Sequence, residues 1–209
     1  MISDFFLALI LALIQGLTEF LPISSSAHLL FPSLLFGAKD FGIVFDISVH
    51  AGTLVAVIYY FKKEILGLFH AWMPWSHNRN KENFSLGLHL IVATLPIVLA
   101  GLLASDLSES RSVNINSIAW ANLIFAALLF AAYKSSSQSR SLAELTLFAA
   151  LIIGCFQALA VFPGASRSGM AITGALIIGL NIKDTSRFAF LLSIRTILGA
   201  LILMLAKGA

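Results

Sequence analysis

Near the start of this 209-residue chain a glutamate, Glu19, interrupts an apolar run, with Gln15 four residues before it and Ser24, Ser25, Ser26 and His28 soon after. Residues four apart share one face of a helix, so Gln15 and Glu19 belong together. A carboxylate in such a run is costly against lipid and must face protein interior or water. Pro22 ends the first half-helix because it has no backbone N–H to donate. The serines then supply an N-cap and free hydroxyls for the next half-helix, and His28 follows Ser25 on the same face. A second group stands far along the chain, in PGASRSG from Pro163 to Gly169. There Pro163 and Gly164 break a helix, and a glycine lets backbone approach a ligand closely. Ser166, Arg167 and Ser168 open the next one. Free N–H groups at a helix N-terminus bind anions, and Arg167 adds a planar fork suited to phosphate oxygens. Taken singly, these are capping serines, a packed histidine and an arginine paired with Glu19. Taken together, they suit a phosphate or diphosphate whose remainder stays in lipid.

The surrounding composition says where that chemistry happens. Apolar residues make up 59% of the chain and mean hydropathy is +0.95. Charged residues are 11%, where a soluble domain carries about 25%. A cytosolic globule and a long disordered tail are both excluded. The net charge of +3 and pI near 9.2 would suggest nucleic acid in a polar protein. Here the bases sit in short gaps between apolar runs, the pattern of orientation signals in a membrane protein, so no nucleic-acid partner is expected. The single cysteine, Cys155, excludes an intramolecular disulfide framework and a cysteine-only zinc site. No cleavable leader is expected, since Asp4 rather than a base precedes the first apolar run.

Crossing a bilayer of about 30 Å takes roughly 20 apolar residues. Ile43–Phe61, Leu86–Ala104 and Ser117–Tyr133 qualify, and Phe188–Ala206 does so except for Arg195. Charged or serine-rich connectors, Lys62–Ser85, Ser105–Asn116 and Lys134–Ser141, separate them. Phe5–Phe36 and Leu145–Leu180 are also apolar, but each is broken in its middle by Pro, Ser and a charge. The breaks align: Gln15 on Gln157, Leu17 on Leu159, Phe20 on Phe162 and, after one gap, Pro22 on Pro163. Paired interrupted segments point to a binding site at the membrane midplane. The expected fold is all-α: one polytopic membrane domain, 1–209, made of two inverted-topology repeats. These cover about 1–104 and 117–209, each with a broken re-entrant helical hairpin meeting the other near the midplane. With the N-terminus outside, eight of the 13 bases fall inside, among them Lys62, Lys63, Arg79, Lys81, Lys134, Arg140, Lys183 and Arg187. Full transmembrane hairpins would sort the charges equally well.

At these residues a resemblance appears. QGLTEFLPISSSAH is similar to the first signature of the undecaprenyl-diphosphate phosphatase family of the bacitracin-resistance type, and PGASRSG resembles its second. FDISVHAGTLVAVIYYF, from Phe45, resembles the segment between them, so the likeness runs from Gln15 to about Ala200. It implies a hydrolase of the bacterial cytoplasmic (inner) membrane, with its site open to the outer face. Its substrate would be a polyprenyl diphosphate lipid, turned into undecaprenyl phosphate to recycle the carrier for peptidoglycan and other cell-wall polymers. It also implies a divalent cation, Mg²⁺ or Ca²⁺, and contact with membrane lipids. A homodimer is compatible with it. Carried over by position, Glu19 takes the acidic place tied to metal or catalysis and Gln15 the Glu/Gln place. Ser25 matches the proposed nucleophile, His28 its acid–base partner and Arg167 the diphosphate-binding arginine. Gln15, Ser24, Ser26, Gly164, Ser166 and Ser168 would line the substrate. Three departures stand out: Ala27 replaces a glycine, Arg195 replaces a proline, and family members continue through about two more spanning helices.

The expected chemistry is phosphoryl transfer in which Glu19 holds the cation on the diphosphate and Arg167 with two helix N-termini stabilises the equatorial oxygens. Ser25 attacks phosphorus with His28 as base and later acid, or a water activated by His28 does so while Ser25 binds phosphate. The competing class is a flippase for polyprenyl phosphate, or an anion transporter, which shares the inverted repeat but needs no nucleophile.

Overall fold

The computed structural model describes residues 3–73, 80–103 and 114–206. It is helical throughout, and among the described residues the only strand-like pairing is an isolated bridge between Arg140 and Leu180. The helices are α1 (Asp4–Thr18), α2 (Ser25–Phe36), α3 (Gly42–Tyr60), α4 (Lys62–Trp72), α5 (Lys81–Leu103), α6 (Ile115–Ser135), α7 (Leu147–Ala158), α8 (Arg167–Ile177) and α9 (Ile182–Ala206). Four of them, α3, α5, α6 and α9, are long and apolar enough to cross a membrane. They coincide with the four runs expected from hydropathy.

The connector expected over Lys62–Ser85 is largely helix instead. Its charges hide an amphipathic pattern: Ala71 is buried, while Trp72 stacks on Phe84 of α5 with ring centroids 4.8 Å apart. His77 and Arg79 lie outside the described residues, as does most of Ser105–Asn116.

The two broken stretches become helix pairs that are each too short to span. At 1.5 Å per residue, α1, α2, α7 and α8 are roughly 16–23 Å long, well under the bilayer core. Their ends are tied, which fixes how they run. Asp4 at the start of α1 accepts from Lys39 Nζ, just past α2, at 2.6 Å. Arg140, before α7, donates its N–H to Gly179 O at 3.0 Å, and Asn181 donates its N–H to Arg140 O at 2.9 Å. Each pair therefore enters and leaves on one side.

The helix α3 relates the two sides. It begins just after Lys39, and at its far end Glu64 of α4 accepts from Arg187 Nε of α9 at 2.8 Å. Leu180, at the mouth of the α7–α8 pair, lies just before α9 and so shares that far side. The two hairpins open at opposite ends of α3.

Glycine and capping residues set the breaks. Ser24 accepts from Ala27 N at 3.3 Å to start α2, and Ser166 accepts from Gly169 N at 3.1 Å to start α8. The separation that aligns Gln15 with Gln157 also aligns these two caps, so the structural register needs no gap. Gly164 takes φ +96°, where a side chain would be strained, and its missing Cβ leaves room for Ile118 O of α6. The core lies around the second hairpin, where Leu90, Ala93, Ala150, Ile153, Ala171, Ala175, Phe188 and Leu192 are buried together.

Candidate active site

The breaks of the two hairpins touch. Ser168 Oγ donates to the backbone oxygen of Leu21 at 2.9 Å, and Ser166 Oγ reaches the same oxygen at 3.4 Å. This clasp brings the first residue of α8, Arg167, to the first turn beyond α1. There Arg167 Nη2 donates to Glu19 Oε1 at 2.8 Å.

Glu19 is the hub. Its side chain is 3% exposed; it accepts hydrogen bonds from three elements, and a histidine on a fourth stands beside it. Gln15 Nε2 of α1 and Ser25 Oγ of α2 each donate to Oε2 at 2.7 Å. His50 Nε2 of α3 stands 3.3 Å from the same oxygen. A carboxylate this deeply placed persists as a charge because a guanidinium holds one oxygen and several polar groups crowd the other.

Beside the hub is a cavity of about 130 Å³ lined by Glu19, Ser25, Ser26, His50, Ala160, Ala165, Ser166 and Arg167. Five of the residues singled out in the sequence therefore share it: Glu19, Ser25, Ser26, Ser166 and Arg167. The others surround it. Gln15 is fully buried behind Glu19, and its Oε1 has no hydrogen-bond partner. Ser24 is the cap of α2, Ser168 is half of the clasp, and Gly164 makes the turn against α6.

His28 is placed differently from the expected pairing with Ser25. Its Nδ1 meets Ser24 O at 2.7 Å and its ring packs on Phe31, centroids 5.5 Å apart. The hydroxyl of Ser25 goes to Glu19, so in this geometry the carboxylate is the proton acceptor nearest the hydroxyl.

Sequence reasoning assigned no role to His50, although FDISVHAGTLVAVIYYF was in view. The available signal was a pair of ionisable side chains, Asp46 and His50, one turn apart inside a spanning helix, which by default mark function. Arg195 is not at the hub. It lines a separate pocket of about 340 Å³ with Ile65, Leu68, Trp72, Gly87 and Leu90, and no carboxylate partners it among the described residues.

The family described as bacitracin resistance protein BacA matches residues 8–209. This chain belongs to the BacA family. A protein of Saccharophagus degradans is 50% identical over 191 residues, covering 91% of this chain and 72% of its own. Relatives from Alcanivorax borkumensis and Teredinibacter turnerae are 47% and 45% identical, covering 94% and 93% of this chain and 75% and 74% of theirs. All three carry the name undecaprenyl-diphosphatase. BacA membership and the four long apolar helices make the chain a multi-pass membrane protein in contact with lipid.

Proposed function

We propose that this chain hydrolyses undecaprenyl diphosphate to undecaprenyl phosphate and inorganic phosphate, recycling the carrier for cell-wall polymers and conferring bacitracin resistance. What supports it most is the Glu19–Ser25–Arg167 constellation: a hydroxyl on a carboxylate that is itself held by a guanidinium, inside a BacA-family chain.

The terminal phosphoryl group enters the cavity, where Arg167 and the N–H groups opening α2 and α8 face its oxygens. Ser25 Oγ attacks phosphorus and its proton passes to Glu19 Oε2. The bridging P–O bond breaks and undecaprenyl phosphate departs with that bond's electron pair. Water then attacks the phosphoserine and passes one proton to a phosphoryl oxygen, while Ser25 Oγ leaves with the O–P electron pair and takes back the proton held on Glu19, so inorganic phosphate departs and both residues are restored. His28 keeps its place as the acid–base partner implied by the family resemblance, with Nε2 the ring nitrogen left for that work. A water nucleophile, with Ser25 binding phosphate, gives the same products. Trapping of a phosphoserine separates the two routes.

A divalent cation fits these residues in one way. Among the described residues no three His, Cys, Asp or Glu side chains cluster to hold a metal. Mg²⁺ is commonly held by one or two carboxylates together with substrate phosphates. Glu19 and the hydroxyls of Ser25 and Ser26 supply that arrangement, for Mg²⁺ or Ca²⁺. When bound, the cation neutralises diphosphate charge.

The chain belongs in the bacterial cytoplasmic membrane. Lys62, Lys63, Lys81, Lys134, Arg140, Lys183 and Arg187 gather at the far end of α3, which the positive-inside rule puts in the cytoplasm. The α1–α2 hairpin then opens outward, toward substrate delivered on the outer leaflet.

Phosphate release from a C55 diphosphate by purified protein in detergent, with and without added cation, tests the proposal. Release that is lost on chelation supports it. Transport or lipid flipping without phosphate release would replace it with a carrier.

A further inference from the structure

His50 stands against the catalytic carboxylate without a role in the chemistry above. Its placement is well determined by its own helix. Nδ1 lies 2.6 Å from Asp46 O, one turn earlier on α3, and a carbonyl can only accept, so Nδ1 donates there; Nε2 faces a carboxylate, which also only accepts, so both ring nitrogens carry hydrogen and the ring is the imidazolium. That bond fixes the ring plane and turns Nε2 toward the cavity. Nε2 is 3.3 Å from Glu19 Oε2, and the imidazole is only 14% exposed.

Glu19 needs such a support. It is the residue that caps the end of α1, at the junction with the turn leading to Ser24. Neither a continuing helix nor a strand restrains its backbone on the far side. The side chain must nevertheless keep Oε2 aimed at the Ser25 hydroxyl. Gln15 pulls that oxygen from α1, and Arg167 anchors the other oxygen from α8. Both anchors are long side chains, and the bond from Ser25 is the one given up when that hydroxyl attacks, which leaves the carboxylate freedom to drift. A third anchor on a third helix removes that freedom, and α3 supplies it at His50.

Resting on the diphosphatase reading above, we infer that His50 is a positioning residue that fixes Glu19 Oε2 opposite Ser25 by hydrogen bonding from α3. It touches the carboxylate and not the phosphorus. The requirement is a donor of the right reach rather than an imidazole as such. A glutamine at position 50 extends an amide N–H to a similar distance, whereas an asparagine ends one methylene short.

The test uses the full chain in detergent, the C55 diphosphate assay and a melting curve for each variant. His50→Leu is expected to lower kcat by about 10- to 100-fold, since a misplacement of about 1 Å can cost two orders of magnitude. KM and melting temperature stay near those of the parent. His50→Gln recovers most of the lost rate and His50→Asn does not. The double variant Gln15→Leu/His50→Leu loses less than the product of the two single losses, because both residues act on one oxygen. A His50→Leu protein with parental kcat overturns the inference, and so does a Gln variant no better than the Asn variant. If His50→Leu fails to fold, the Gln–Asn pair decides alone. A parent that releases no phosphate overturns the diphosphatase reading and this role with it. An active parent with an indifferent His50 removes only the role.

Discussion

The two broken hairpins share a plan but differ in how they are held. In the second, α7 buries Ala149, Ala150, Ile153, Gly154 and Gln157, largely against α5, and α8 buries every residue from Ser168 to Leu176. Gly154 lets the two backbones approach closely, since a Cβ there would collide with the Ala93 backbone. In the first, Phe5, Phe6, Leu9, Leu13 and Leu17 of α1 are exposed, and α2 buries only Ser25, Ala27 and Leu29. Among the described residues no helix packs on α1 as α5 packs on α7. The side chains diverge as well. Aligned by their caps, Glu19 of the first copy corresponds to Val161 of the second, and Ser25 corresponds to Arg167. One copy thus supplies the carboxylate and hydroxyl, the other a rigid mount for the guanidinium. The two hairpins have like frames and unlike side chains at these two equivalent positions.

The sharpest test of that division is the hub itself. Glu19→Gln keeps the shape and removes the charge, and it is expected to lower phosphate release at least about 1,000-fold, comparable to losing a principal stabilising group. The protein should still elute as a folded species. Near-normal turnover at saturating cation would make the carboxylate a strut of the first hairpin. Arg167→Lys probes the second copy's contribution. An ammonium cannot reproduce the planar fork, so kcat/KM should fall by about 10- to 100-fold. An unchanged rate would confine Arg167 to packing.

Packing offers the next contrast. Gly154→Val should cost about 1–3 kcal/mol through overpacking against α5, lowering the melting temperature by roughly 2–4 °C per kcal/mol. Its counterpart Ala12→Val faces an open groove and should shift the melting temperature little. Equal losses would mean that the first hairpin is as tightly covered as the second. The smallest effect belongs to the caps. Ser24→Ala should cost about 1 kcal/mol. Ser166→Ala should cost somewhat more, because Ser166 also reaches across to Leu21.

Much of this was legible from residue types. Apolar runs of bilayer length located α3, α5, α6 and α9, because lipid leaves a spanning backbone few alternatives to helix, though α5 and α9 begin five and six residues before their runs. The Pro–Ser breaks marked the hairpins for the same reason. The ion pair of Glu19 with Arg167 followed from two lone charges in two apolar breaks. What hydropathy hid was α4, whose charges mask a partly buried stripe of Ile65, Leu68 and Ala71. It hid His50 too, because spacing along one helix cannot report a contact made from another. The orientation of His28 toward Ser24 O is a rotamer choice, which a three-residue spacing from Ser25 does not decide.

The cavity beside Glu19 holds about 130 Å³, the bulk of about four waters. It has room for a phosphoryl group and not for an isoprenoid, which must lie outside it during the reaction. Substrate therefore reaches the site by lateral diffusion in two dimensions. Its saturation should follow the mole fraction of diphosphate in the surrounding lipid or detergent, and diluting the micelles with more detergent should slow the enzyme even when the bulk substrate concentration is held constant.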